Sequence, residues 1–213
     1  MAKQKTPQAQ ISGAAEFARL RARPPLEIFG EWFADAQNGG IAQPEAMTLA
    51  TAGADGMPQA RIVLLKDFGE KFIFFTNRES RKGESLRANP RAALLFYWPP
   101  LSRQVKIEGN TAELERPAVA EYFQTRPRRS RISAWASNQS RPVESPETLA
   151  RQMREKEEEF AGREPPLPPD WSGFSLVPLR MEFWLEGENR LHWRLAFWRD
   201  SADAAWQTAF LQP

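Results

Sequence analysis

An α+β domain built on an antiparallel β-barrel is what this sequence predicts, and three observations carry the prediction. About eight short apolar runs are joined by turns such as Gly53-Ala54-Asp55-Gly56 and Asp67-Phe68-Gly69-Glu70, far too short for parallel crossovers. A few capped helical stretches are interspersed among those runs. The 213 residues, 41% hydrophobic and 11% aromatic, are enough to bury a sizeable core.

Taken in order, residues 1–25 read as a flexible tail, polar and Ala-rich, closing on Arg19, Arg21, Arg23 and Pro24-Pro25. The remaining span, 26–213, reads as one domain. Pro25 suits the first turn of a helix, and Leu26, Phe29 and Phe33 recur at three- and four-residue spacing until Asn38-Gly39-Gly40 ends it. Met47 to Ala52, Ala60 to Lys66 and Lys71 to Thr76 follow as hairpin strands. Ser80 is a candidate N-cap for a short helix stopped by Asn89-Pro90. Ala92 to Trp98 and Gln104 to Leu114 are strands around Pro99-Pro100, and Pro117 to Gln124 is helical by composition. Residues 126–145 read as a polar Arg/Ser-rich loop. Ser145-Pro146-Glu147 then opens a helix carrying Leu149, Met153 and Phe160 on one side. Past the Pro165 to Pro169 connector, Leu179 to Leu185, Arg190 to Trp198 and Ala205 to Leu211 read as the last strands.

The scarce residues bound the chemistry. Cys is absent, which removes disulfides, thiolate nucleophiles and Cys-ligated metals. His192 is the sole histidine, so no site needing two imidazoles from one chain is possible and no metal centre is expected. The 29 basic residues, 22 of them Arg, balance 27 acidic ones, a net of +2 that is no nucleic-acid signature. An Arg surplus fits either coding bias or recognition of carboxylate and phosphate. No apolar run approaches the roughly 18 residues of a membrane span. Met1 to Gln10 lacks the apolar stretch of a signal peptide, so a cytoplasmic location is the expectation.

Neither a GxGxxG nor a Walker loop occurs, and any nucleotide-like group must be held by side chains. Four polar stretches inside apolar surroundings are candidates. Arg61 to Lys66 brackets four aliphatics and, taken alone, is better read as a buried strand with solvated ends. Thr76-Asn77-Arg78-Glu79-Ser80-Arg81-Lys82 gathers donors at a strand-to-helix junction, where a phosphate site and a plain polar loop are about equally good readings. Tyr122 to Arg131 holds a phenol, a hydroxyl and four guanidiniums, which fits a small phosphorylated ligand better than nucleic acid beside so acidic a helix. Arg190-Leu191-His192-Trp193-Arg194, read as a strand, puts Arg190, His192 and Arg194 on one face. A lone histidine is more often structural, but two flanking arginines make this one a poor core residue.

These stretches, together with Arg103-Gln104-Val105, Ala134-Trp135 to Gln139-Ser140 and Glu182-Phe183-Trp184, resemble the pyridoxine/pyridoxamine 5′-phosphate oxidase family in the family's order over residues 26–213. The resemblance implies a split β-barrel homodimer with FMN at the subunit interface. It implies oxidation of pyridoxine or pyridoxamine 5′-phosphate to pyridoxal 5′-phosphate, with O2 as acceptor and H2O2 as product. Carried over by residue, Arg61, Ile62, Val63, Leu64, Leu65, Lys66, Phe75, Thr76, Arg81, Lys82, Gln104, Gln139, Ser140, Trp184 and Arg194 would contact FMN. Lys66, Tyr122, Arg126 and Ser130 would hold the substrate phosphate. Arg190, Leu191 and His192 would face its pyridine ring, with Arg190 and His192 as the catalytic pair.

The chain departs from the family pattern at four places. Trp193 stands where an acidic or amide residue is usual, and Leu185 where a polar one is common. Phe210-Leu211-Gln212-Pro213 lacks the usual Arg, and no basic, tyrosine-bearing N-terminal segment is found. Altered packing is expected at Trp193. A related flavin oxidase acting on a phenazine precursor and a non-catalytic binder of FMN or pyridoxal phosphate remain alternative readings; the Tyr122, Arg126 and Ser130 set argues against the first.

Overall fold

A computed structural model describes the backbone from Pro7 to Pro213 and the side chains from Gly13 onward. Among these residues nine strands form one curled antiparallel sheet: β1 (Ala46–Ala52), β2 (Pro58–Leu64), β3 (Asp67–Phe68), β4 (Phe72–Asn77), β5 (Arg91–Trp98), β6 (Arg103–Glu113), β7 (Trp171–Leu185), β8 (Trp193–Trp198) and β9 (Gln207–Phe210). The order is β2-β1-β5-β6-β7-β4-β3, with β8 on β7 and β9 on β8. Among the described residues six helices flank it: α1 (Pro7–Leu20), α2 (Pro25–Asn38), α3 (Arg81–Ala88), α4 (Arg116–Thr125), α5 (Arg128–Ala136) and α6 (Pro146–Glu159). The α+β split-barrel architecture expected from the sequence is what the chain adopts.

Strand alternation builds the interior. Every second residue of β1 and β4 is buried while its neighbours are half-exposed. Helix α2 closes the inner side with Ile28, Phe29, Trp32 and Ala36, all fully buried. The Phe29 ring lies 4.9 to 5.1 Å from those of Phe68, Phe72 and Phe96, and Trp32 meets Phe183 edge-on at 5.3 Å. Such edge-to-face pairs each add roughly 0.5–1.5 kcal/mol beyond their burial. The longest strand, β7, joins the two ends of the molecule: Trp171 to Leu176 pair with β4, and Arg180 to Leu185 with β8. Between them β6 and β7 slip register at Glu108/Gly109. A Cβ at Gly109 would sit 2.0 Å from the Val177 carbonyl oxygen, so only glycine permits this close approach.

Four readings of the sequence need correction. The segment from Pro7 to Leu20 is a helix, not a tail; residues 1–6 lie outside the described residues. Phe17 and Leu20 are buried, Phe17 packs 6.2 Å from Trp32, and Glu16 pairs with Arg103 at 3.3 Å. Three large apolar residues, Ile11, Phe17 and Leu20, scattered among Ala, Gly and polar residues are too weak a stripe to announce a helix before its docking face is known. Residues 128–136 form α5 where a loop was expected. That helix buries Ile132, Ala136 and even Arg131, whose charge is met by Gln124 at 3.0 Å and Glu164 at 2.7 Å. Strand β7 begins at Trp171, eight residues earlier than read, because Pro178 looks like a breaker but sits at the bulge where no ladder donor is needed. Finally, β8 starts at Trp193, and residues 188–190 form a short 3-10 turn with Asn189 (φ 51°) and Arg190 (φ 66°) left-handed. Strand alternation therefore does not govern Arg190 and His192.

Candidate active site

The end of β4 and the start of α3 build the first half of the site. Ser80 caps α3 by accepting from the Gly83 amide at 3.4 Å. A Cβ at Gly83 would lie 2.3 Å from the Arg78 carbonyl oxygen, so the turn demands glycine. This tight entry folds Lys82 inward. Its Nζ donates to Gln139 Oε1 at 3.0 Å and to Thr76 Oγ1 and Ser80 Oγ at 3.2 Å each, and Thr76 Oγ1 donates to Gln139 at 2.9 Å. Burial, with Arg61 adding a repulsive charge, pushes Lys82 down to about 8. Arg61 on β2 is itself lowered by burial and donates to the Leu49 carbonyl at 3.0 Å and Thr51 Oγ1 at 2.8 Å. Two cations thus share this corner with neutral partners only.

Helices α4 and α5 supply the second half. Phe75, Tyr122 and Trp171 stack nearly parallel: Phe75 to Tyr122 is 4.0 Å at 10°, and Phe75 to Trp171 is 5.2 Å at 6°. The Arg126 guanidinium lies 4.7 Å over Trp171. Its Nη1 is buried without a hydrogen-bond partner among the described residues. Burial lowers Arg126 and raises Tyr122, each opposed by the other's charge. Ser130 sits on the first turn of α5 facing the same space.

Between these halves opens a cavity of about 680 Å³, lined by Ile62, Val63, Leu64, Lys66, Phe75, Thr76, Lys82, Tyr122, Arg126, Ser130 and Gln139 among others. Among the described residues no Asp or Glu lines it. Buried cations without carboxylates leave their charge uncompensated, and an anion entering here is what would satisfy them. Of the residues expected at this place, Arg61 stays behind the lining on Leu49, Thr51 and Gln59, Leu65 points into the core, and Arg81 and Ser140 are exposed outside the cavity. Trp171 was not anticipated. Its one signal is a Trp two residues after the Pro165 to Pro169 connector, which became meaningful only once β7 placed it beside Asn77.

The remaining candidates sit elsewhere. Gln104, Trp184 and Arg194 form a row across β6, β7 and β8. Arg194 Nε donates to Glu182 at 2.7 Å and Nη1 to the Gln212 carbonyl at 2.9 Å, while Lys106 approaches Glu182 at 3.5 Å. Burial pushes the Glu182 carboxyl up, but the Arg194 hydrogen bond and charge, aided by Lys106, outweigh it and hold it low. His192 stacks at a tilt 4.7 Å from Trp184 and, with Leu191 and Arg194, lines a second cavity of about 920 Å³ near Phe17 and Phe210. The Trp193 indole packs on α1 at Gly13. Thr76 pairs with Ser172, and Trp184 is twelve residues farther along β7, on the order of 40 Å of strand. One chain does not bring Arg190 and His192 to the anion cavity.

Comparison with known proteins fits both halves. Residues 33–160 match the family model described as pyridoxamine 5′-phosphate oxidase, and residues 171–213 match the pyridoxine 5′-phosphate oxidase C-terminal dimerisation region. The chain is 49% identical over 190 residues to the pyridoxine/pyridoxamine 5′-phosphate oxidase of Rubrobacter xylanophilus, covering 89% of this chain and 87% of that one. It is 47% identical to the protein of the same name from Myxococcus xanthus, covering 89% and 91%. Among solved structures, PhzG from Burkholderia lata, in complex with tetrahydrophenazine-1-carboxylic acid, superposes with a TM-score of 0.83 at 32% identity, covering 89% and 92%. A pyridoxamine 5′-phosphate oxidase-related, FMN-binding protein from Nostoc punctiforme shares the fold, with a TM-score of 0.71 at 17% identity over 90% and 98%.

Proposed function

Since this chain belongs to the pyridoxine/pyridoxamine 5′-phosphate oxidase family of oxidoreductases, we propose that it oxidises pyridoxine 5′-phosphate, pyridoxamine 5′-phosphate or both to pyridoxal 5′-phosphate, with FMN as cofactor and O2 as electron acceptor. The observation that carries the reading is the carboxylate-free cavity, where cations gather at two separate corners. Lys82, Thr76 and Gln139 suit one phosphate, and Arg126, Tyr122 and Ser130 another. A phosphorylated cofactor and a phosphorylated substrate need two such corners. The orphaned Arg126 Nη1 and the buried Lys82 both fit an incoming anion.

FMN would supply acceptance of a hydride from the substrate carbon and delivery of the electrons to dioxygen, giving hydrogen peroxide. The protein's own part is to bind and orient. Lys82, Thr76, Gln139 and Arg61 would hold the cofactor, with Ile62, Val63 and Leu64 beside them. Arg126, Tyr122, Ser130 and Lys66 would anchor the substrate phosphate, and the aromatic wall would exclude water. The alcohol substrate loses two hydrogens to become the aldehyde; the amine loses two, and water then releases ammonia.

In this reading the active site is completed by a second copy, whose Gln104, Trp184, Arg194, Arg190 and His192 face the cavity across the interface. The match of residues 171–213 to a dimerisation region supports that arrangement. So do Ile62 at the cavity and Leu191 beside His192, 63% and 67% exposed apolar side chains that a partner would cover.

The PhzG likeness favours a second reading, a flavin oxidase acting on a phenazine precursor. Such a ring acid would offer Arg126 a carboxylate rather than a phosphate; the 47–49% identity to proteins named pyridoxine/pyridoxamine 5′-phosphate oxidase, against 32% to PhzG, favours the first reading. The test is anaerobic. FMN-loaded protein mixed with pyridoxine 5′-phosphate should bleach the flavin absorbance, and readmitted oxygen should restore it with peroxide formed. Bound flavin that bleaches with neither vitamer, or failure to bind FMN, overturns the proposal.

A further inference from the structure

The loop that carries His192 holds it in an unusual way. Between β7 and β8 the chain turns within seven residues, pinned by Leu191 N–H to the Glu188 carbonyl at 2.9 Å and His192 N–H to the Arg190 carbonyl at 3.0 Å. Two consecutive non-glycine residues, Asn189 and Arg190, occupy the left-handed region, a costly arrangement kept only where surroundings impose it. A Cβ at Gly187 would lie 1.8 Å from the Leu191 carbonyl oxygen and 3.2 Å from the His192 Cα. Glycine there lets the two arms of the loop touch. The contact aims the Gly187 amide at the imidazole, and Gly187 N–H donates to His192 Nδ1 at 3.3 Å. Trp184, 4.7 Å from the ring on β7, limits its rotation.

A neutral imidazole carries one proton, and a nitrogen that accepts a hydrogen bond is not the one bearing it. We infer that the loop fixes neutral His192 as the Nε2–H tautomer, so that His192 presents the substrate with a hydrogen-bond donor, and that Gly187 is the positioning residue that sets this. The substrate in this statement rests on the function proposed above; the tautomer rests on the loop alone. The donor suits a lone pair on the pyridine ring or its oxygen substituent. Protonating Nδ1 would break the Gly187 contact, so His192 holds a proton at Nε2 and does not serve as the base that receives one at Nδ1.

One imidazole per chain makes the test unambiguous. In the full-length, FMN-loaded, 15N-labelled protein at mildly alkaline pH, long-range 1H–15N correlation spectra should show a pyrrole-type Nε2 and a pyridine-type Nδ1. A protonated Nδ1, or two averaged nitrogens, overturns the inference. Gly187→Ala should shift the nitrogens toward the averaged pattern. His192→Gln, whose amide nitrogen reaches the Nε2 position and can donate but not accept a proton, should lower kcat by about tenfold, the scale of one weakened hydrogen bond. His192→Ala should lower it by roughly a hundredfold or more. Equal losses in the two variants also overturn the donor role. A wild-type protein without oxidase turnover refutes the function instead, while the nitrogen spectrum still decides the tautomer.

Discussion

Replacing Glu182 by Gln tests whether Arg194 is held by charge or merely by shape. The Glu182 carboxylate is 10% exposed, lies 2.7 Å from Arg194 Nε and 3.5 Å from Lys106 Nζ, and sits at the middle of the β6–β7–β8 sheet. Gln preserves volume and can still accept one hydrogen bond, so the loss is mainly electrostatic. Removing one partner of a well-buried pair costs about 3–5 kcal/mol. Arg194 and Lys106 are 29% and 40% exposed, and water screens the charges left behind, which brings the expected loss to about 1.5–2 kcal/mol at pH 7. Urea unfolding of the apo-protein measures it directly through the midpoint at constant slope. The pH dependence gives a second check. A carboxyl held low in the folded state contributes stability that is present above the unfolded value of about 4.3 and lost as pH falls through the folded one. The gap between wild type and Glu182→Gln should therefore close below about pH 4. A gap under about 0.5 kcal/mol at pH 7, or one unchanged down to pH 3, would refute the reasoning. In the proposed dimer Arg194 would meet the cofactor held by the other copy, so FMN affinity of the variant should drop by about tenfold, a charge-assisted contact's worth.

Trp171→Leu removes the platform under Arg126 and the end of the Phe75–Tyr122 stack, and should raise KM for a phosphorylated substrate about tenfold, on the scale of a desolvated cation–π contact; Trp171→Phe should recover most of it, and steady-state kinetics on both variants would expose a purely structural role if kcat fell instead. Lys82, lowered to about 8, makes two opposite pH trends: apo-protein stability should rise with pH from about 8 toward 10.5, as the penalty of burying its charge is relieved, while affinity for FMN should fall over the same range. Lys82→Met should flatten both, which parallel thermal-shift and fluorescence titrations would reveal. Gly13→Val would drive a side chain into the Trp193 indole, 2.6 Å from where the Cβ must go, and should cost about 1–3 kcal/mol by loosening α1; an unchanged unfolding midpoint would mean that α1 docks by other contacts.

Much of this was legible from the residues in order. Short turns between apolar runs dictate antiparallel pairing, because no parallel crossover fits such connections, and the strand pairings follow suit. Ser80 and Ser145 announce their helices because an N-cap is a local hydrogen bond, here to Gly83 and Thr148 amides. The clustering of Thr76, Lys82, Tyr122 and Arg126 into one cavity agrees with motifs that already stood out as anion-seeking.

Other features depend on contacts between distant segments, and no local pattern carries them. Helix α1 holds its place because Phe17 and Leu20 find Trp32 and the sheet, and Trp193 finds Gly13. Trp171 became part of the cavity wall because Pro178 sits at a bulge that lets β7 run on. The loop before β8 broke the alternation that would have aligned Arg190 with His192, and its reach back to Gly187 set which imidazole nitrogen is engaged. Sequence alone determined which chemistry was available: one imidazole, no thiol and many guanidiniums. Tertiary structure decided where each group stands and which charges lack partners, because burial and long-range pairing arise only when remote segments meet.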